Sequence, residues 1–374
     1  MRLLYIAPTR IDMEKLDGVA KKITGHVKVF QKNFDTDLLY RDDENVMLYH
    51  VNNSDFTTIG AGKNKVAILK TAFNVIDKEK YDYCYIRYPN SDPQFLKLLK
   101  KMKQKGIRIA IEIPTYPYDE EGKESIKGRV IHFVDTIYRK KIHKYVDGIV
   151  TYSKDDYIFN IKTINTVNGV DFERVSESHY VKENAIHLCG VATFYQIHGY
   201  DRLINGLYLY YKNGGKRDIV FDVVGYGDND ILQEYKDMVN KYHLENRVIF
   251  HGRLNGTDLD DMYDKAVIGI NSLAIHRQNL EFESTLKTRE YAAKGLIILS
   301  SSFIDAFTEE DNNRYVCRVS ADDTPINIEN VIAFYDNLYE HNDITELRTQ
   351  IRNQAKKICD MPVTLQPVID FFES

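Results

Sequence analysis

The sequence has 374 residues, of which 43% are hydrophobic and 28% charged, and its formal net charge is −5. This composition is typical of a globular protein with room for two domains, and it argues against a low-complexity or disordered chain. No apolar run is long enough for a membrane-spanning helix, and the first predicted strand leaves no space for a signal peptide. We therefore predict a cytoplasmic protein.

The cysteines are widely separated in the sequence. They are Cys84, Cys189, Cys317 and Cys359. None belongs to a Cys-X-X-Cys motif, and none has a histidine at the spacing of a zinc site. This pattern predicts reduced structural thiols.

Strands and helices are predicted to alternate along the first part of the chain. The apolar run 2–7 is followed by a loop with Gly18 and a helical pattern from Val19 to Phe30, which opens a Rossmann-like unit. Since no GxGxxG fingerprint is present, a dehydrogenase is disfavoured. Further strands are predicted at 38–40, 46–51, 83–87, 107–113 and 148–152, with helices at 65–76, 93–105 and 127–144.

The strand 107–113 ends in a loop that reads Pro-Thr-Tyr-Pro-Tyr-Asp. Ligands of open α/β sheets bind outside the carboxyl ends of the strands, so the loop is in the place of an active-site loop. Polar side chains that could contact hydroxyl groups are Glu112, Tyr116, Tyr118 and Asp119. A proline-stiffened surface turn is the alternative interpretation.

A second series of strands and helices begins after the turn dipeptide Asn168-Gly169. We predict a first domain at 1–170, a second at 171–355, and a C-terminal helix at 356–374 that crosses back to the first. Within the second domain, strands are predicted at 185–190, 219–224, 248–250, 267–272 and 296–299, with helices at 201–211, 231–242 and 258–265.

A helix followed by glycine and a buried strand is predicted at 284–302. Lys287 and Glu290 lie three residues apart and can point at one ligand, and Gly295 ends the helix. Free N–H groups at the helix start, beside Lys287, would suit a diphosphate, and Glu290 would suit a ribose diol. An ordinary amphipathic surface helix is the alternative.

Several segments resemble, in the same order, the motifs of the nucleotide-sugar glycosyltransferases of GT-B fold. They are EIPTYPYDEE at 112–121, NGVD at 168–171, VATFYQIHGYDRLI at 191–204, VVGYGD at 223–228, VIFHGRL at 248–254 and LKTREYAAKGLIIL at 286–299. Within this group the chain is most similar to the retaining family four (glycosyl transferases group 1), which builds bacterial exopolysaccharides and capsules.

The resemblance implies an α/β fold of two Rossmann-like domains that face each other across a cleft. The first domain would bind the acceptor and the second the donor. Implied catalytic residues are Glu283, Lys287 and Glu290. Implied donor-binding residues are Gly18, His198, Gly199, Gly227, Gly252, Leu254, Thr285 and Leu286. Implied acceptor-binding residues are Glu112, Thr115, Tyr116 and Tyr118.

The chain departs from the family pattern at four places, one of which is the acceptor loop, where it has Thr115 and Tyr116 and the family often has a histidine. Phe282 stands where the first of two paired glutamates is usual, and Glu281 and Glu283 are the candidates to replace it. Val191 follows the second domain's first strand where the family has arginine, and His198 takes the place of a lysine. A diphosphate is therefore expected to rest on Lys287, His198 and backbone N–H groups.

The resemblance implies a hexosyltransferase that moves a sugar from a nucleotide sugar, with UDP as the expected nucleotide. The acceptor would be a saccharide, free or lipid-linked, and the product a cell-surface polysaccharide formed with retention. Because Lys287, His198 and backbone N–H groups could stabilise the leaving diphosphate without a metal, we expect no metal or other cofactor. We also expect no nucleic acid partner. An epimerase of the same fold and a non-catalytic partner subunit are the alternatives.

The charge is uneven along the chain. Residues 1–172 carry 29 Lys and Arg against 23 Asp and Glu, and the remainder carries 21 against 32. The excess of cations is concentrated in two clusters, at 97–108 and 127–144, where apolar residues are interleaved. These clusters predict peripheral attachment to an anionic cytoplasmic leaflet, and ordinary solvated helix faces are the alternative.

Overall fold

The chain folds into two compact units. The computed structural model describes residues 1–119, 125–227, 229–280, 282–340 and 342–374. One unit contains residues 1–167 together with 361–374, and the other contains residues 168–360. The C-terminal segment therefore packs within the first unit, although it follows the second in sequence.

The first unit is built on a nine-stranded sheet. Its strands are β1 Arg2–Arg10, β2 Asp35–Arg41, β3 Asn45–His50, β4 Asp55–Ala61, β5 Tyr83–Arg87, β6 Arg108–Ile113, β7 Gly148–Thr151, β8 Tyr157–Ile158 and β9 Ile161–Asn165. Its helices are α1 Gly18–Phe30, α2 Lys65–Lys78, α3 Pro93–Gln104, α4 Ile126–Tyr138 and the C-terminal helix Met361–Glu373. A 3-10 segment, Arg139–Lys144, continues α4.

The strand order in this sheet is β4-β3-β2-β1-β5-β6-β7-β9-β8. Strands β2, β1, β5, β6, β7 and β9 pair in parallel, and β3, β4 and β8 are antiparallel additions at the edges. Apolar clusters with α1 and the C-terminal helix cover one face, and clusters with α2 and α3 cover the other. This explains the nearly continuous apolar run of β1. The order reverses between β1 and β5, which makes their carboxyl ends a switch point.

The second unit is built on a six-stranded parallel sheet. Its strands are β10 Ile186–Phe194, β11 Ile219–Gly227, β12 Val248–Gly252, β13 Ile268–Ile270, β14 Ile297–Ser300 and β15 Val316–Arg318. Its helices are α5 Tyr200–Lys212, α6 Asn229–Tyr242, α7 Thr257–Lys265, α8 Leu286–Ala293, α9 Glu309–Tyr315, α10 Ile328–Tyr339 and α11 Ile344–Cys359. The strand order is β12-β11-β10-β13-β14-β15, so its switch point lies between β10 and β13.

The predicted helix, glycine and buried strand of the second half are confirmed as α8, Gly295 and β14. Gly295 has φ +73°, and a Cβ there would lie 2.5 Å from the Arg348 carbonyl oxygen on α11. Only glycine combines the left-handed conformation with this close approach. The turn allows β14 to enter the sheet directly after α8, with α8 packed against α11.

The cysteine thiols are free and buried, in agreement with the structural role predicted for them. Within the described ranges, no group of three or more His, Cys, Asp or Glu side chains is arranged to hold a metal ion. None of the helices in the described part of the chain has both the length and the apolar character needed to cross a bilayer.

Candidate functional site

The segment that follows β13 organises a polar site at the switch point of the second unit. The Asn271 side-chain amide donates to Glu283 Oε1 at 2.7 Å and to Ser300 Oγ at 3.0 Å. Ser272 Oγ donates to Glu283 Oε2 at 3.0 Å and accepts from Lys287 Nζ at 3.2 Å. The carboxylate of Glu283 is thus fixed by two donors, and one hydroxyl links it to the ammonium group of Lys287.

The charge of Lys287 depends on its surroundings. Burial lowers the pKa of Lys287 to about 8, and the nearby carboxylate of Glu283 limits the decrease. The ammonium form therefore predominates at neutral pH, and part of its side chain remains exposed. Lys287 lies in the first turn of α8, whose leading N–H groups have no acceptor within the helix. A cation and free N–H groups at one helix end form a suitable anion site.

A 3-10 turn at Gln196–His198 packs against the same segment. The Leu273 N–H donates to the His198 carbonyl at 3.0 Å, and the Ala274 N–H donates to the Ile197 carbonyl at 3.1 Å. Gly199, at φ +62°, follows the turn, and a Cβ at this position would lie 3.0 Å from the Ala274 nitrogen. The predicted His198-Gly199 pair is therefore held directly beside the residues that fix Glu283 and Lys287.

His198 is neutral in this setting. Burial lowers the pKa of His198 well below its usual value, and the positive charge of Lys287 lowers it further. The Tyr195 N–H donates to His198 Nδ1 at 3.1 Å. Because Nδ1 is an acceptor, the neutral ring carries its proton on Nε2. His198 can therefore offer a diphosphate an N–H donor, but not a positive charge.

Glu290 lies one turn further along α8. The Tyr263 hydroxyl donates to Glu290 Oε2 at 3.2 Å, and the carboxylate remains partly exposed. The neighbouring Tyr291 is buried, where its hydroxyl donates to the Ile270 carbonyl at 3.2 Å and accepts from the Val191 N–H at 2.8 Å. These bonds fix α8 against β10 and β13, so that Glu290 is presented by a rigid helix.

Glu281 and Glu283 are the two candidates to replace the glutamate that is missing at Phe282. Glu281 lies outside the described residues. Glu283 is held by Asn271 and Ser272 beside Lys287, as described above. The adjacent Phe282 is partly exposed and carries no hydrogen-bonding group. Among the described residues of this segment, Glu283 is therefore the carboxylate that can face a sugar next to the anion site.

A buried arginine fixes the start of α8. Arg289 is 0% exposed, donates to the Asn168 carbonyl at 2.8 Å and to Ser284 Oγ at 2.8 Å, and forms an ion pair with Asp305. The extended residue Thr285 is the N-cap, but its hydroxyl donates to Asn271 Oδ1 at 3.3 Å and accepts from none of the leading N–H groups of α8. This network sets the position of Thr285 and Leu286, whose N–H region was predicted to contact the donor.

The glycines after β11 and β12 have different roles. Gly227 has φ +146°, and a Cβ there would lie 2.5 Å from the Phe194 nitrogen on β10. It therefore allows the last parallel pairing between β10 and β11. Gly252 has φ +67° with open space where a Cβ would be. Leu254 beyond it is half-buried, and Asp228 lies outside the described residues.

In the first unit, Glu112 is completely buried. Its carboxylate forms ion pairs with Lys22 Nζ at 2.7 Å and with Arg87 Nη1 at 3.2 Å, and it accepts from the Tyr152 hydroxyl. Burial alone would raise the pKa of Glu112, but the positive charges of Lys22 and Arg87 lower it well below its usual range. The expectation that Glu112 contacts the acceptor is wrong, because no surface of the carboxylate is exposed.

The tyrosines of the predicted acceptor loop also differ. Tyr118 is buried, and its hydroxyl donates to Asp135 Oδ2 at 2.7 Å, so it anchors the loop and is not available to a saccharide. Thr115 is exposed and Tyr116 is half-buried. The ring of Tyr116 packs edge-on against Phe159, with 6.0 Å between centroids. The described loop thus leaves Thr115 and Tyr116 for contact with an acceptor.

Gly18 is the exposed first residue of α1. The side chain of Asp17 caps this helix by accepting from the Ala20 N–H at 2.8 Å. A carboxylate therefore already occupies the position at which a phosphate would meet the free N–H groups. This observation argues against a diphosphate contact at Gly18, although a neutral sugar could still approach.

Solved structures with a similar fold are known. HepE from Anabaena, in complex with UDP, aligns over 100% of both chains with a TM-score of 0.65 and 11% identity. A glycosyltransferase from Rickettsia africae covers 100% of this chain and 97% of its own, with a TM-score of 0.66 and 13% identity. Sucrose-phosphate synthase from Thermosynechococcus elongatus covers 100% of both, with a TM-score of 0.65 and 12% identity. The chain has the GT-B fold.

The predicted GT-B fold class is therefore confirmed. No protein-family model matches the sequence, and a search of curated proteins gives no significant match. At 10 to 14% identity the GT-B neighbours show the fold alone. The functional argument consequently depends on the site's own side chains.

Two polar residues of the candidate site, Asn271 and Ser272, were missed by the sequence reasoning. Both lie directly after β13 and are buried. A possible signal was available, since they are polar residues at the carboxyl end of an apolar strand. In the first unit, Arg87 at the end of β5 gives the same signal. Lys22, the other cation paired with Glu112, does not, because a lysine on an amphipathic helix is normally solvated.

The different roles of the glycines after β11 and β12, Gly227 and Gly252, can be tested with a matched pair of substitutions. We expect Gly227→Ala to lower the free energy of unfolding by about 2 to 3 kcal/mol, because the conformation is nearly glycine-only and the Cβ meets backbone. Gly252→Ala should cost roughly 1 kcal/mol, since it meets only the left-handed strain. Urea unfolding measures both. Equal losses would show that Gly227 is not required by the β10 and β11 pairing.

Proposed function

We propose that the protein is a glycosyltransferase that moves a hexosyl group from a UDP-sugar to a saccharide acceptor. The observation that carries this proposal is the convergence of Lys287, the free N–H groups of α8 and the His198 turn beside Glu283, at the switch point of the second unit. These groups suit a diphosphate attached to a sugar. The structures of HepE with UDP and with UDP-glucose support UDP as the nucleotide.

The proposed reaction breaks the bond between the sugar's anomeric carbon and the diphosphate oxygen. The electron pair leaves with UDP, and Lys287, the first N–H groups of α8 and His198 Nε2–H stabilise the developing negative charge. An acceptor hydroxyl oxygen bonds to the anomeric carbon, and its proton passes to the departing phosphate. Attack from the leaving-group side gives the retention that we propose.

The carboxylates have separate proposed roles. Glu290 would accept hydrogen bonds from the ribose hydroxyls, since the Tyr263 hydroxyl holds it at the surface of α8. Glu283 would accept hydrogen bonds from the hydroxyls of the transferred sugar, because the Ser272 hydroxyl links its carboxylate to the ammonium group of Lys287. Because a cation and a helix N-terminus can balance the diphosphate, we propose that transfer needs no metal ion.

We further propose that the first unit binds the acceptor through Thr115 and Tyr116. An exposed hydroxyl and an aromatic ring are groups that bind saccharides well. The proposed acceptor is a lipid-linked saccharide at the cytoplasmic side of a membrane, and the proposed product is part of a cell-surface polysaccharide. A second candidate is a non-catalytic nucleotide-binding subunit, which is favoured by Phe282 in place of a carboxylate.

Calorimetric titration with a panel of nucleoside diphosphates, in the presence of EDTA, tests the nucleotide part of this proposal. We expect UDP to bind and UMP to bind more weakly, because the site is built for the diphosphate. Binding that requires added divalent cation, or no preference for diphosphates over monophosphates, would contradict the metal-independent anion site.

The pKa of Lys287 predicts how this binding depends on pH. The ammonium form is present below about 8 and is lost as the pH rises through that value. We therefore expect the affinity for UDP to fall between pH 7 and pH 9. In Lys287→Arg the guanidinium stays charged throughout this range, and the affinity should be flat. A wild-type profile identical to that of the arginine variant would show that Lys287 does not provide the charge.

A further inference from the structure

Helix α4 exposes an apolar stripe along its whole length. The exposed fractions are 77% for Ile126, 57% for Val130, 68% for Phe133 and 43% for Ile137. Their spacing of four, three and four residues places them on one face of the helix. Asp135, the fully buried residue of α4, lies on the opposite face. The helix is therefore amphipathic with its apolar side turned away from the protein core.

Cations flank this stripe. Those exposed on α4 and on the 3-10 segment that continues it are Lys127, Arg129, Lys140, Lys141 and Lys144. The acid between residues 125 and 144 is Asp135, whose carboxylate is buried. The exposed surface of residues 125–144 therefore combines large apolar groups with cations and presents no carboxylate. This is the composition of a helix that lies in an anionic membrane interface.

The other predicted basic cluster, on α3, is different. Its apolar residues are buried in the core, among them Phe95 and Leu99. Three of its cations pair with acids: Lys101 and Lys105 with Asp77, at 2.6 and 3.4 Å, and Lys103 with Asp147. The α3 cluster is thus an ordinary solvated helix face, as the alternative interpretation held. Of the two clusters expected to attach to a membrane, the one on α4 is therefore kept and the one on α3 is not.

The buried side of α4 holds the acceptor loop. Tyr118 and Tyr88 both donate to the carboxylate of Asp135, at 2.7 and 2.6 Å. Arg139, directly after α4, donates to Asp119 Oδ1 at 2.7 Å, with its guanidinium 5.5 Å from the centroid of the Tyr118 ring. One helix therefore exposes an apolar stripe on one side and anchors the acceptor loop on the other.

We infer that α4 is an interfacial helix that inserts Ile126, Val130, Phe133 and Ile137 into an anionic lipid leaflet. A second copy of the chain is a poorer occupant, because it would bring the same cations against each other. Membrane binding itself does not depend on the proposed function. The consequence that docking places the acceptor loop next to a lipid-linked saccharide rests on the proposed function.

The sequence contains no tryptophan, so a single substitution gives a unique reporter. We expect the emission of full-length Phe133→Trp to shift to the blue on vesicles that contain phosphatidylglycerol, and to be quenched by lipids with bromine on their acyl chains. Phe56→Trp is the matched control, since Phe56 is 48% exposed in the same unit. It should show neither change. An unshifted Phe133→Trp signal, or equal shifts at both positions, would overturn the inference.

Co-sedimentation with the same vesicles then separates the apolar and the charged contributions. Phe133→Ser with Ile137→Ser should weaken binding by roughly tenfold or more, and Val363→Ser, at a valine 46% exposed on the C-terminal helix, should not. Lys140→Glu with Lys141→Glu should also weaken it, and Lys97→Glu with Lys100→Glu should not.

Each variant is checked for UDP binding and for its oligomeric state. Loss of vesicle binding with UDP affinity retained supports the interfacial helix. Equal wild-type binding to neutral and anionic vesicles overturns it, as does a dimer that the serine variants dissociate. Intact vesicle binding in a protein that binds no nucleotide would refute the proposed function and leave the helix assignment standing.

Discussion

Lys22→Met is expected to lower the free energy of unfolding by about 3 to 5 kcal/mol, the largest stability effect that we predict. Lys22 and Glu112 are both buried, with 2.7 Å between Nζ and Oε1. Removing the lysine leaves the carboxylate with Arg87, at 3.2 Å, as its remaining ion-pair partner of those described above. Urea unfolding measures the loss, and hydrogen exchange along β6 assigns it to the first unit.

The pH dependence of this loss has a defined sign. The pKa of Glu112 is lowered in the folded protein, so the stabilisation is present above its unfolded value of about 4.3 and is lost as the pH falls further. In Lys22→Met the carboxyl should protonate at higher pH. The difference between variant and wild type should therefore shrink as the pH falls toward 4.

A double variant provides the control for the buried pair. Lys22→Met with Glu112→Gln removes both charges and should recover part of the stability lost in the single variant. A single variant as stable as the wild type would show that the ion pair does not organise this part of the sheet. The same conclusion would follow if Glu112→Gln lowered the free energy of unfolding of the double variant further below that of Lys22→Met.

Lys287→Ala is expected to weaken UDP binding by about 1.5 to 3 kcal/mol, or roughly 10- to 150-fold. The substitution removes a charge-assisted contact to phosphate and leaves the carboxylate of Glu283 in the site. Lys265→Ala is the matched control, because it removes an exposed lysine from α7 in the same unit. Calorimetry gives both affinities, and thermal unfolding without ligand shows whether each variant is folded.

Lys287→Arg distinguishes a charge from a shape requirement. If positive charge is what the diphosphate needs, the arginine variant should bind UDP within a few fold of wild type. UDP affinity that is unchanged in Lys287→Ala, or reduced equally in Lys265→Ala, would show that the diphosphate binds elsewhere.

The sequence predicted those parts of the site that are local in the chain. Lys287 and Glu290 share one helix, and Gly295 ends it, so periodicity and turn chemistry were sufficient. Asn271 and Ser272 were missed because polar residues at a strand end resemble any loop start. What makes them part of the site is the contact with Glu283, which depends on how the chain after β13 meets the residues before α8.

Burial of charge was the harder feature to predict. Glu112 was expected to face a ligand, and its actual partners Lys22 and Arg87 come from two other elements, α1 and β5. Likewise, the sequence shows apolar residues interleaved with cations at 127–144, but it cannot distinguish apolar residues that pack in the core from those that stay exposed. Only the tertiary structure shows that Phe133 points outward and Asp135 inward.

Transfer of labelled sugar tests the central claim most directly. The full-length protein is incubated with radiolabelled UDP-sugars and a membrane lipid extract in the presence of EDTA, and the products are separated into organic and aqueous phases. The proposed glycosyltransferase predicts that one labelled sugar moves to the lipid-linked saccharide with release of UDP. Label that stays on the nucleotide, or appears only as an epimer of the nucleotide sugar or as free sugar, would contradict it.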